Sequence, residues 1–110
     1  MNVILNEKVC NLKFDQYADN NNVAIMLVKP KRGRMREEEL VTTATVNTDM
    51  AIRQDFVAIK GWSENTGVEQ ALIDADVICP ERLGAIRCGM AVAYVYELTP
   101  KAKEAKKNQQ

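Results

Sequence analysis

Only one stretch of this chain, Val68 to about Ala75, carries an apolar period suited to a helix. Val68, Ala71, Leu72 and Ala75 fall on a single narrow face. A helix that short is marginal on its own, so it must be held by packing. Thr66 and Glu69 have capping-box spacing, in which each side chain satisfies a backbone N–H at the helix start. Asn65 is a competing N-cap. Asp74 and Asp76 oppose the dipole at the far end, which predicts a short helix over about 67–75.

The rest of the chain offers strands for that helix to cover. Cys10, Leu12 and Phe14 alternate with Asn11, Lys13 and Asp15, the period-2 pattern of a half-buried strand over Val9–Tyr17. Asp19-Asn20-Asn21-Asn22 tolerates positive φ and reads as a turn. Val23 to Lys29 is apolar on both faces, as a central strand would be, and Pro30 ends it. Leu40 to Thr48 is dense in β-branched residues and reads as a third strand, Phe56 to Ile59 as a fourth. Ala85 to Cys88 is a short pairing segment before Gly89, and Met90 to Leu98 is the last strand. The expected fold class is α+β: a mainly antiparallel sheet of about five strands with one helix on one face.

Fold size follows from length: 110 residues make one domain. Its boundaries are expected at 1–99, with 100–110 a basic tail, disordered or a frayed helix. With 46% apolar but only 5% aromatic residues, the core must be built from aliphatic side chains. Fifteen basic residues balance fifteen acidic ones, so no global field draws the chain to nucleic acid or membrane. Cys10, Cys79 and Cys88 are odd in number and form no CxxC, which points to a reducing cytoplasm and to thiols acting as small hydrophobes. No apolar run is long enough to cross a bilayer.

The chain contains no histidine, so the usual base near neutral pH and the commonest metal ligand are missing. Gly61 and Gly67 match no phosphate-loop pattern. No catalytic residue, cofactor or metal is therefore expected. Three features remain as candidate binding elements. Trp62, the single tryptophan, is an interface anchor if exposed and a core cap if buried. Ser63, Glu64 and Asn65 form either a polar corner at a helix start or plain turn chemistry. Lys31, Arg32, Arg34 and Arg36, with Lys29, form a basic loop followed at once by Glu37, Glu38 and Glu39. That loop is either a phosphate-tracking patch or a solvated mixed-charge run.

Four ordered motifs carry a family likeness. They are Tyr17 with the Asn-rich turn and Val23-Ala24-Ile25; Thr45-Val46-Asn47; Ala58-Ile59-Lys60 with Ser63-Glu64-Asn65, Gly67 and Leu72; and Gly89 with Val95-Tyr96-Glu97-Leu98. Together, over about Phe14 to Leu98, the chain resembles an uncharacterised family of small proteins carried by phages and conjugative elements of gut bacteria. It departs from that pattern in the Lys31 to Glu39 insert, where the family has a short Gly-Glu-Pro turn. The resemblance implies an accessory protein of a mobile element, acting in the bacterial host cytoplasm. Its expected role is to bind a host or element-encoded protein, with anti-defence or host modulation as the specific form. Two other readings stay open: a nucleic-acid-binding sheet using loop 29–36 and the lysine tail, and an oligomeric structural component of a virion.

Overall fold

A computed structural model describes residues 1–30 and 39–109. Four strands, β1 (Asn2–Leu5), β2 (Lys8–Gln16), β3 (Val23–Val28) and β4 (Leu40–Thr43), form one antiparallel sheet in the order β1-β2-β3-β4. A second antiparallel sheet has the order β5-β7-β6, from β5 (Phe56–Ile59), β6 (Gly84–Cys88) and β7 (Ala91–Glu97). Among the described residues two helices complete the fold, α1 (Val68–Asp74) and α2 (Pro100–Gln109), with one 3-10 turn at Ser63–Asn65. The α+β class holds, but one sheet of about five strands with one helix is corrected to two sheets and two helices.

The first hairpin follows its pattern. β2 and β3 pair from Asn11↔Val28 to Gln16↔Val23, and Cys10, Leu12 and Phe14 turn into the core. β3 lies between β2 and β4, as its two apolar faces require. Asn21 sits at φ +60 in the turn. The buried Asn22 amide donates to the Met50 carbonyl (3.0 Å) and accepts from the Ile52 N–H (2.8 Å). The Asn cluster thus fastens a distant loop as well as reversing the chain. β1, which the sequence reading passed over, pairs with β2 through Asn6 and Glu7, both at positive φ, as a type I′ turn needs.

The expected third strand, Leu40–Thr48, is a ladder only to Thr43. Ala44 then donates to the Ile25 carbonyl while its own carbonyl accepts from Lys60, both at 2.8 Å. Thr45 bridges Ile59, and Val46 donates to Ala58 (3.1 Å). The chain therefore leaves one sheet and joins the other within three residues. Beyond it, side-chain bonds of Asn47 and Thr48 replace the ladder.

α1 begins differently from its expected cap. Gly67, at φ +91, is the N-cap and supplies no side-chain bond, while the Thr66 hydroxyl turns back to the Ser63 carbonyl (2.9 Å). Glu69 is drawn away to Tyr96, so the capping box does not form. The helix ends early, as its acidic end predicts. Asp76 at φ +60 donates to Ile73, and Val77 donates to Leu72, a Schellman motif with Asp in the usual glycine place.

The segment 100–109, expected as a disordered or frayed tail, is a docked helix. The Thr99 hydroxyl accepts from the Ala102 N–H (3.0 Å) and donates to the Asp76 carbonyl (2.7 Å), and Pro100 takes the first helical position. Ala102 is fully buried, and the Gln109 amide bonds both the N–H and the carbonyl of Phe14. These contacts outweigh the frayed, lysine-rich composition.

Both sheets and both helices close over one core that includes Val3, Ile25, Leu27, Ile59, Leu72, Tyr96 and Leu98. Each such side chain contributes about 1.5–3 kcal/mol by leaving water. No helix among the described residues is long and apolar enough to cross a membrane.

Candidate functional site

β7 alternates strictly, and its two faces meet different surroundings. Tyr94 and Tyr96 point into the main core side, while Ala93 and Val95 point out of the sheet. On that outer side Ala58, Ala93 and Val95 are buried beneath half-exposed Val46, Ile52, Phe56, Trp62, Ile86 and Cys88. The alanine methyls make a thin layer, and the larger side chains pack over it. An open groove runs there between Val46–Met50 on one side and Ile86–Gly89 on the other. Met50 and Met90 are exposed beside it.

Trp62 packs on the same outer face. Just before it the chain passes the end of the Glu69 side chain: a Cβ at Gly61 would lie 2.9 Å from Glu69 Oε2. Neither sequence alternative for Trp62 holds alone. It is half-buried, packed against the Ala58, Ala93 and Val95 cluster while keeping part of its side chain accessible.

The Ser63–Asn65 corner divides. Ser63 is exposed at φ +60. Glu64 is exposed and accepts from Lys60 Nζ at 2.6 Å. That bond, with help from its own N–H and Ser63, holds the Glu64 carboxyl down at about 2. Asn65 points inward and is fully buried: its amide donates to the Thr43 carbonyl (2.8 Å) and accepts from the Thr42 hydroxyl (2.5 Å). Asn65 is a structural tie between the 3-10 turn and β4, so the corner offers a partner Ser63 and Glu64 only. A second shallow groove, lined by Tyr17, Val41, Thr43, Thr45 and Val46, ends at Lys60 and Glu64.

Lys31, Arg32, Arg34 and Arg36 lie outside the described residues. Lys29 pairs with Glu39 at 3.3 Å. In the C-terminal helix Lys103 bonds Glu97 and Lys106 bonds the Gln54 carbonyl, so two of its four lysines are engaged on the protein itself.

Sequence reasoning missed one polar cluster. Tyr96 donates to Glu69 Oε1 (2.6 Å), and Arg82 Nε donates to the Tyr96 oxygen (3.1 Å). The Arg82 guanidinium also lies 3.7 Å from the centroid of the Tyr94 ring. Burial first, then the bond to Glu69, pushes the Tyr96 hydroxyl above its usual range. The cluster ties α1, the loop before β6 and β7 together. Its residues are 27 positions apart at the extreme, so no local motif announced it. Among the described residues, no group of three or more cysteine or carboxylate side chains is placed to hold a metal ion.

No protein-family model, curated protein or solved structure matches this chain.

Proposed function

We propose that this chain is a small non-enzymatic accessory protein of a phage or mobile element. It acts by docking a host or element-encoded protein on the outer face of the β5-β7-β6 sheet. The observation that supports this reading is a groove lined by Val46, Met50, Ile86 and Cys88 on the outer face of the sheet, where half-exposed Trp62 packs over the same buried Ala58, Ala93 and Val95 cluster. An outward sheet face ordinarily carries polar residues. A half-exposed tryptophan at an apolar rim is the chemistry of a binding anchor. The complementary partner surface is an apolar helix or extended segment that seats between Val46 and Ile86. Anti-defence or host modulation is the specific form proposed, from the mobile-element resemblance.

The test compares capture of proteins from host lysate by the full chain, by Trp62→Ala and by Val46→Asp. A defined host or element protein retained by the wild type and lost by both variants, with unchanged far-UV circular dichroism, is the expected result. Equal recovery by all three chains rejects this face.

A further inference from the structure

Sheet edges in this protein are treated unequally. β2 runs past the end of β1, and there the Gln109 side chain bonds both backbone groups of Phe14, closing the overhang. β6 is the outer strand of its sheet, and among the described residues nothing bonds its free side. On an antiparallel edge strand every second residue directs its N–H and C=O away from the neighbour. β6 thus presents a row of unpaired donors and acceptors, guarded by one charge, Arg87.

The exposed apolar side chains are placed around this same strand. Seven large ones are exposed among the described residues, and four of them, Met50, Leu83, Met90 and Val92, flank β6. Leu83 stands at its start and Met90 in the turn beyond its end. We infer that β6 pairs antiparallel with β6 of a second copy about a two-fold axis near Ile86, joining the two three-stranded sheets into one continuous sheet.

Two-fold pairing about Ile86 sets Ala85 against Arg87 of the partner subunit and Gly84 against Cys88 of the partner subunit. Neither arginine faces its own copy, which removes the direct like-charge clash. The same operation carries Leu83 onto the Gly89–Met90 turn of the partner subunit, so both exposed ends of the strand are covered at once. Such an isologous contact closes on itself and yields a dimer, not a fibre. The zero net charge of the chain opposes association only weakly. The contact uses the backbone edge of β6, while side chains of the same strand, Ile86 and Cys88, wall the groove. Association of the chain with itself is read without a docked partner, so failure of one proposal is distinguishable from failure of the other.

Sedimentation velocity on the full chain, from micromolar to millimolar concentration, tests it. The wild type is expected to form a dimer, and Leu83→Glu with Met90→Glu to weaken it by about 100-fold, the effect of two carboxylates on a desolvated contact. Leu83→Glu with Met90→Lys should recover about tenfold of that loss, because residue 83 meets the opposite turn only across the two-fold. Within one chain the two positions are too far apart along the strand to pair. Both sites are exposed, and thermal unfolding is expected to show the variants as stable as wild type. A wild type that stays monomeric, a glutamate pair that leaves dimerisation unchanged, a lysine swap with no recovery, or assemblies beyond a dimer each overturn the inference.

Discussion

β2 and β7 are both antiparallel strands with one face on the main core, and they differ on the other. β2 directs Cys10, Leu12 and Phe14 inward and Asn11, Lys13 and Asp15 outward, with Val9 the one apolar residue on the outward side. β7 directs Tyr94 and Tyr96 inward, yet three of its four outward residues, Ala91, Ala93 and Val95, are apolar, and Glu97 stands only at the end. The first is the ordinary arrangement of a sheet with one wetted face. The second has exchanged polar side chains for small apolar ones and then partly roofed them with Trp62, Phe56 and Ile86. The inward faces hold the molecule together, and the outward face of β7 is where composition departs from what folding alone requires.

If the two inward faces are equivalent, Leu12→Ala on β2 should cost about 2–4 kcal/mol in denaturant unfolding, the price of a core cavity. A cost under 1 kcal/mol would show that the β2 side is loosely packed. The outward faces should then diverge. Ala93→Asn buries an amide under the apolar rim and is expected to cost about 1–3 kcal/mol. Asn11→Ser on the wetted face should stay within about 0.5 kcal/mol. Equal costs for these two would dissolve the contrast.

Tyr96→Phe sharpens the inner side of β7. Removing the hydroxyl leaves Glu69 without its shortest donor, for about 1.5 kcal/mol of lost stability. The sign with pH is fixed by the raised Tyr96 hydroxyl. Its contribution is complete below the ordinary tyrosine value, about 10, and is lost as pH climbs through the higher folded one. Wild type should therefore lose stability at strongly alkaline pH more steeply than Tyr96→Phe. The smallest effect lies at the exposed corner. Carbon-detected NMR should find the Glu64 carboxyl titrating near 2, and Lys60→Met should move it up toward the normal carboxylate range. Whatever Glu64 adds to stability is present above the ordinary carboxylate value and disappears as pH falls through about 2. An unmoved titration in Lys60→Met would remove the ion pair as its cause.

Much of the strand framework was legible because it is local. The alternation of Cys10, Leu12 and Phe14, the Asn turn and the two-sided apolar run Val23 to Val28 each state their geometry within a few residues. The early end of α1 was readable from its acidic C-terminus. The misreadings share a different cause, contacts between residues far apart in the chain. Glu69 fits a capping box by spacing, but Tyr96 and Arg82 claim its carboxylate. The lysines after Pro100 suggest a frayed tail, but Thr99 caps that segment, Ala102 is buried and Gln109 reaches Phe14. The run Leu40 to Thr48 looks like one strand, and nothing local marks its change of sheet at Ala44. At the candidate site, Trp62 was visible as a lone large aromatic. The groove beside it was not, since Val46, Ala93 and Ile86 meet only after both sheets have formed.

Ala44 is the hinge pin of that architecture. With its N–H on Ile25 and its C=O on Lys60, it belongs to both layers, and sliding one across the other breaks at least one of these bonds. Thr45 repeats the stitch, with its hydroxyl accepting from the Ile25 N–H and its backbone bridging Ile59, so a pull on the outer layer loads consecutive residues of one seam.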